Sequence, residues 1–361
     1  MRALTLRPAS SRISVGIVFV LTGVIGACSS NRQDRTQSPK SAAPTIETPA
    51  SVTRSVAAPE PEETKPPDSR TDPTNAATTA NTNTAPTANT ATTVNANASE
   101  GPSRPFELVV PSSYNANSPA PLLIVLHGYT GNASSVRAYF SLDAATEARG
   151  VLTVYADGTK DRSGQPFWNA TNACCNFSSS TVDDAAYLLK IIDDVSASHS
   201  VDPKRVYFAG HSNGGFMSYR MACEYAGRIA AVVSLAGSTY NDAGVCKPSA
   251  PVSVAQVHGT SDSVISYTGG AILAREYPSA EKTVSSWASY NACEETLTPT
   301  GKSLDLDAVI EGAETSVAKF ANCASGSAVE LWTIGNGGHT PKLAADFGTN
   351  VIDFLLAHPK L

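Results

Sequence analysis

No phenylalanine, tryptophan or tyrosine occurs between Ser29 and Glu100. That stretch is Ala, Thr, Asn, Pro and Ser with scattered charge. Without large apolar side chains it cannot bury enough surface to offset the entropy of ordering it. Residues 29–100 are therefore expected to be a disordered tether, with a root-mean-square span of about 45 Å for a flexible coil of roughly 70 residues. A large charge imbalance is also lacking: the formal net charge is only -6. It supplies no cationic surface for nucleic acid, so no nucleic-acid partner is expected. No cysteine pair has the spacing of a zinc site, so neither metal nor cofactor is expected. The N-terminal apolar run, Ile13 to Ile25, falls short of the roughly 20 residues that span a bilayer.

That short run has another reading. Arg2, Arg7 and Arg12 precede it as a basic region, and Ile25-Gly-Ala-Cys28 closes it. The pattern resembles a bacterial lipobox, in which the cysteine is lipidated and becomes the new N-terminus. Residues 1–28 are expected to be a lipoprotein signal peptide, with Cys28 anchoring the chain to a membrane. The alternative is an ordinary secretory signal and a secreted protein. Either places the chain outside the cytoplasm, where disulfides persist. Six cysteines then remain: Cys174, Cys175, Cys223, Cys246, Cys293 and Cys323. An even number argues for three bridges, and the pairing of Cys174, Cys175, Cys223 and Cys246 stays open. Cys174 and Cys175 are not expected to join each other, because a vicinal bridge strains the peptide between them.

Composition changes at Pro102, and residues 101–361 read as one catalytic domain. Phe106–Pro111 is a first strand. Pro121-Leu-Leu-Ile-Val-Leu-His-Gly128 is a continuous apolar run, as in a parallel strand buried on both faces. Val136 to Arg149 should be a helix stopped by Gly150. Val151–Asp157, Ala230–Gly237, Val252–Gly259 and Ala328–Ile334 read as strands. Helices are expected from Asp183/Asp184 to about Ser198, from Ala280 to Asn291 and from Leu343 to Ala357, with a turn at Val201–Arg205. Strands alternating with helices imply a mostly parallel sheet with helices on both faces.

The most informative stretch is Val206-Tyr-Phe-Ala-Gly-His-Ser-Asn-Gly-Gly215. A short apolar strand leads into Gly210-His-Ser-Asn-Gly214, and a helix follows from Phe216. Strand, G-x-S-x-G turn and helix are the context of a nucleophile elbow. A serine hydroxyl needs a base, and the base needs a partner that fixes its tautomer. After Ser212 come His258, His339 and His358. His358 lies in the tail, and His258 ends a strand and precedes the best acid. His339, in Gly335-Asn-Gly-Gly-His339 after the last strand, is the expected base. Asp262, in His258-Gly-Thr-Ser-Asp262, is the expected acid, with His258 shaping its loop. Asp305 and Asp307, with no clear strand before them, read as surface charges. The oxyanion hole is expected to use the N–H of Asn213 and that of Tyr129 or a neighbour. His127, His211 and Trp168 are candidates for the substrate pocket, and Trp168 equally for the core.

Several stretches together resemble the polyhydroxybutyrate depolymerase and feruloyl/acetylxylan esterase-like branch of the α/β-hydrolases. They are Leu126-His-Gly128, Val182-Asp-Asp184, Asp202-Pro-Lys-Arg-Val206, Gly210–Gly215, His258-Gly-Thr-Ser-Asp262 and Gly337-Gly-His339. The resemblance implies an α/β-hydrolase fold without a large cap domain, the roles of Ser212, Asp262 and His339 given above, and a Cys293–Cys323 bridge. It implies a serine esterase acting on polysaccharide-linked acetyl or feruloyl esters or on hydroxyalkanoate oligomers. The residues alone also admit a serine peptidase, or a binding protein on a hydrolase scaffold. Members often carry tryptophan and proline after the histidine, whereas Thr340-Pro-Lys-Leu343 follows here.

Overall fold

A strand with no polar alternation has to be covered on both faces. Ala120–Leu126 (β3) meets that condition, with every residue buried. Leu122, Ile124 and Leu126 enter one apolar cluster and Leu123 and Val125 the other, following the period of two along a strand. The computed structural model describes residues 91–95 and 104–361. The remaining elements are β1 (Ala91–Asn95), β2 (Pro105–Val109), α1 (Ala133–Phe140), α2 (Asp143–Ala148), β4 (Leu152–Ala156), β5 (Thr159–Lys160) and β6 (Pro166–Phe167). Then come α3 (Asp184–Ser198), β7 (Val201–His211), α4 (Asn213–Glu224), β8 (Ala231–Leu235), β9 (Ser253–Gly259), β10 (Gly270–Ile272), β11 (Arg275–Tyr277) and α5 (Ala280–Tyr290). Strands β12 (Leu297–Leu304), β13 (Thr315–Phe320) and β14 (Val329–Ile334) lead to α6 (Phe347–Ala357).

Ten strands form one sheet in the order β1-β2-β4-β3-β7-β8-β9-β14-β13-β12. The centre, β4 through β14, is parallel throughout, and both edges are antiparallel. Val136 and Phe140 of α1 and Val351 and Ile352 of α6 cover one face. Leu188 and Ile191 of α3, Phe216 and Met217 of α4 and Trp287 of α5 cover the other. This is the α/β-hydrolase arrangement that the sequence implied. The short ribbons β5–β6 and β10–β11 lie outside the main sheet.

Several local expectations are revised. The helix expected over Val136–Arg149 is two helices, because Ser141 turns into the left-handed region (φ 48°) and ends α1, its N–H bonding Arg137 O. The turn expected at Val201–Arg205 is an irregular part of β7: Val201 pairs with Ala120 but Val206 already with Leu122. The last helix starts at Phe347, four residues later than Leu343. Strands β12 and β13 had no sequence counterpart. Pro299 and Gly301 interrupt the edge strand β12 and mask its pattern, and its pairing slips between Pro299 and Ser303. Ala91–Asn95 lies inside the segment read as a tether, yet it pairs antiparallel with β2. An edge strand needs only backbone hydrogen bonds on one side, so it can form without a large side chain. The signal peptide, Cys28 and the rest of the tether lie outside the described residues.

Three disulfides join Cys223 to Cys246, Cys293 to Cys323 and Cys174 to Cys175. The second is the bridge that the resemblance implied. The last corrects the expectation that adjacent cysteines would not pair. The peptide between them is cis, which brings their Cα atoms to 3.1 Å, and both side chains are buried.

Candidate active site

The buried end of β7 drives the chain straight into α4, leaving one residue to make the turn. Ser212 makes it at φ 53° and ψ -118°, a conformation that costs about 1–3 kcal/mol for a residue with a Cβ. Its N–H bonds Leu235 O at 2.8 Å. The strain is accommodated because the flanking residues are glycines. A Cβ on Gly210 would strike Gly214 O, and one on Gly214 would strike Leu126 O and His127 O. The turn therefore packs directly on the end of β3.

Two loops at the same edge of the sheet bring the other groups. Asp262 follows β9 and His339 follows β14, and these strands are parallel neighbours. A Cβ on Gly259 would strike Gly337 O, so these two loops also touch backbone to backbone. His339 Nδ1–H donates to Asp262 Oδ2 at 2.8 Å, and the Ser212 hydroxyl donates to His339 Nε2 at 3.0 Å. Asp262 Oδ1 accepts the N–H groups of Val264 and Ile265 at 2.8 and 2.9 Å. Burial alone would raise the Asp262 carboxyl. Hydrogen bonds from His258, His339 and the Val264 amide outweigh it and hold the group well below the usual carboxylate range. The expected acid, base and serine are thus brought into one hydrogen-bonded line.

Behind Asp262 runs a second buried line. His258 Nε2 donates to Ile265 O at 2.7 Å and lies 3.2 Å from Asp262 Oδ2. Its Nδ1 is then an acceptor, and Gln256 Nε2 donates to it at 3.0 Å. Gln256 Oε1 accepts the Tyr219 hydroxyl at 2.8 Å, and its amide also donates to Gly237 O at 2.8 Å. Every bond has a fixed direction, so the network leaves His258 one tautomer. His258 shapes the Asp262 loop, as expected, but Gln256 and Tyr219 were missed. The available signal was an amide inside the apolar strand Val252–Gly259, two residues before His258 and hence on the same face.

On the other side of Ser212 stands the loop after β3. Thr130 N–H bonds Pro166 O at 2.8 Å and Gly131 N–H bonds Gly128 O at 3.0 Å. Tyr129 N–H makes no such bond among the described residues, nor does the Asn213 N–H that opens α4. Two of the pocket candidates hold this loop instead of lining it, which corrects their assignment. His127 is fully buried. Its Nε2 accepts the Gly158 N–H at 2.9 Å and its Nδ1 donates to Gly128 O at 2.7 Å. Burial lowers its pKa and keeps the ring neutral. Trp168 is also fully buried, with its indole N–H bonded to His127 O at 3.0 Å. The Trp168 backbone and the Asn213 side chain exchange two hydrogen bonds, of 2.7 and 3.0 Å. Both residues are large and partly polar, and here their polar atoms are used up inside the protein.

His211 is half-buried and donates from Nε2 to His339 O at 2.9 Å, the two rings lying 5.0 Å apart. Burial, with His339 close by, pushes its pKa down to about 4. It borders the site as a neutral support of the His339 loop. Asp184 was read only as a helix opener. It is fully buried, paired with Arg104 at 2.7 Å, and accepts the Asn169 N–H at 2.6 Å. Asp307, read as a surface charge, is 5% exposed, and its backbone bridges to Leu343. His358 ends α6, its Nδ1 donating to Phe354 O at 2.7 Å. Among the described residues no group of three or more His, Cys, Asp or Glu side chains could hold a metal ion.

Residues 106–315, more than half of the chain, match the family described as esterase PHB depolymerase. The chain belongs to that family. Among the relatives of this chain is a feruloyl esterase B from Piromyces equi. It is 30% identical over 250 residues, which cover 66% of this chain and 43% of that protein. A poly(3-hydroxyalkanoate) depolymerase C from Paucimonas lemoignei is 34% identical over 136 residues, 36% of this chain and 30% of the other. The chain thus spans less than half the length of either relative. Among solved structures, an acetyl xylan esterase from Aspergillus awamori superposes with a TM-score of 0.51. It is 14% identical, over 73% of this chain and 99% of that one, and shows the shared fold.

Proposed function

We propose that the chain is an extracytoplasmic serine esterase. The observation that carries the reading is the line Ser212–His339–Asp262, at 3.0 and 2.8 Å. Ser212 Oγ attacks the ester carbonyl while His339 Nε2 takes its proton. Asp262 stays ionised and stabilises the imidazolium that forms. The carbonyl oxygen becomes an oxyanion held by the Asn213 and Tyr129 amides, a donor of this kind contributing about 2.7–4 kcal/mol to the transition state. Collapse of the tetrahedral species breaks the C–O bond, and His339 returns the proton to the leaving alkoxide. Water then attacks the acyl-enzyme, again with His339 as base, and releases the acid and Ser212. The family and the names of the relatives support carboxylic esters as substrates, carried on a polysaccharide or in a hydroxyalkanoate oligomer.

The site outside the cytoplasm is supported by the three disulfides, which persist in an oxidising compartment. Anchoring through Cys28 is the finer part of the proposal. Detergent phase partition of wild type and Cys28→Ala tests it, and equal partition into the aqueous phase refutes it. Turnover of p-nitrophenyl acetate and butyrate by the full chain tests the chemistry. The esterase reading fails if wild type and Ser212→Ala are equally inert across a broad acyl panel.

A further inference from the structure

Asp262 Oδ2 lies between two imidazoles. His339 Nδ1 approaches it at 2.8 Å and His258 Nε2 at 3.2 Å. Either ring could gain a proton beside the carboxylate, but the proposed reaction needs the charge on His339, the ring that faces Ser212. A cation on His258 would be locked in place, 1% exposed, and would draw on the same carboxylate. The line Ser212–His339–Asp262 does not by itself decide which ring takes the proton.

The deciding group is a backbone carbonyl. Gly237 O can only accept, so the Gln256 atom 2.8 Å from it is the amide nitrogen. That fixes the orientation of the whole side chain. The second hydrogen of the same nitrogen points at His258 Nδ1, 3.0 Å away, which has to offer a lone pair. Tyr219, from α4, donates its hydroxyl to Gln256 Oε1 at 2.8 Å. A tyrosine hydroxyl can also accept, so Tyr219 follows the orientation of Gln256 and does not set it. The other titratable side chains around the ring offer Nδ1 no acceptor among the described residues. Tyr267 meets the ring edge-on at 5.7 Å, its hydroxyl bonded to Thr333 Oγ1 at 3.0 Å, and His339 lies beyond Asp262. A proton on Nδ1 would set two donors face to face among buried groups, Gln256, Tyr219 and His258, where no water can separate them.

We propose that Gln256 is a positioning residue that withholds the second proton from His258, so that the full charge of Asp262 serves His339. The kinetic consequence rests on the esterase reading; the protonation of His258 does not. NMR of the full chain, with ¹⁵N in the histidine rings and His258 assigned through His258→Gln, reads that protonation directly. His258 should keep a bare Nδ1 and a protonated Nε2 from pH 8 to pH 5, the range in which an ordinary imidazole gains its charge. A second proton on His258, or a proton on Nδ1 alone, overturns the proposal. Gln256→Glu keeps the size of the side chain and the acceptor for Tyr219 but turns an acceptor toward Nδ1. His258 should then carry both protons and share Asp262 with His339. On p-nitrophenyl acetate kcat should fall about tenfold with KM held. The acid limb of kcat/KM should move to lower pH, because an imidazolium on His339 is then less stabilised. The same loss with an unmoved limb reduces Gln256 to packing and overturns its role. If Gln256→Glu does not fold, the wild-type spectrum still decides. A wild type inert toward p-nitrophenyl acetate overturns the esterase reading instead, and the spectrum still reports on His258.

Discussion

The two flanks of Ser212 are built on opposite electrostatic principles. On the β9–β14 flank, backbone and imidazole donors converge on Asp262 and keep it charged in a buried place. On the β3–β6 flank, neutral groups such as His127 and Trp168 consume the polar atoms around them and leave the Tyr129 amide open. In the proposed reaction, one flank stabilises a positive charge on His339 and the other a negative charge on the substrate oxygen. Each does so with groups that need not reorganise during the reaction. The difference separates residues whose loss should abolish chemistry from residues whose loss should first cost stability.

The largest effect comes from the group both flanks serve. Ser212→Ala should lower kcat on p-nitrophenyl acetate by about 10⁵–10⁶ with little change in melting temperature. A residual rate within about tenfold of wild type would move the nucleophile elsewhere. Next, Asp262→Asn should strike the charged flank alone, costing about 10⁴ in kcat by favouring the wrong His339 tautomer. Substrate binding should hardly change, so a KM effect of similar size would deny the tautomer role. On the neutral flank, Trp168→Phe removes the donor to His127 O and leaves a buried carbonyl unpaired. The expected cost is about 1–3 kcal/mol of stability, read by urea denaturation, with a smaller loss of kcat. A stable but inactive Trp168→Phe would make the indole part of the reaction and dissolve the contrast.

The charged flank was largely legible in the sequence because its parts sit in short runs after strands. Gly210–Gly214, His258–Asp262 and Gly335–His339 each announce a turn at the end of an apolar run. The neutral flank was not. His127 and Trp168 are 41 positions apart and Trp168 and Asn213 are 45 apart, so the bonds between them have no local signature. A tryptophan near an active site reads as a pocket wall unless the partner of its N–H is known. Asp184 shows the same limit. Its neighbour Asp183 caps α3 at Ala186 N, an ordinary opening, while Asp184 turns inward to Arg104, eighty positions earlier. The fold's parallel centre followed from apolar runs buried on both faces. Its antiparallel edge β12–β13 escaped because such strands show one face to water and tolerate Pro299 and Gly301.

The smallest effect separates the two flanks by pH. His211 is neutral in the folded chain, its pKa pushed down to about 4 from the ordinary 6.5. The unfolded chain therefore binds more protons between these values. Stability contributed by His211 is complete above pH 6.5, falls as pH drops toward 4, and changes no further below it. His127, also lowered by burial, acts in the same sense as pH falls below 6.5. Asp262 is depressed in the other sense: its contribution is present above the ordinary carboxylate value of 3.8 and is lost as pH falls below it. The neutral histidines and the charged carboxylate thus govern adjoining ranges. His211→Gln keeps a donor for His339 O and removes the titration. Urea titrations should find its stability curve flatter than wild type between pH 6.5 and 4 by at most one proton's slope, and parallel to it below. Asp262→Asn should do the reverse, flattening only the acid end. If His211→Gln instead flattens the curve only above pH 6.5, His211 is charged in the folded protein and belongs to the electrostatics of the Asp262 flank.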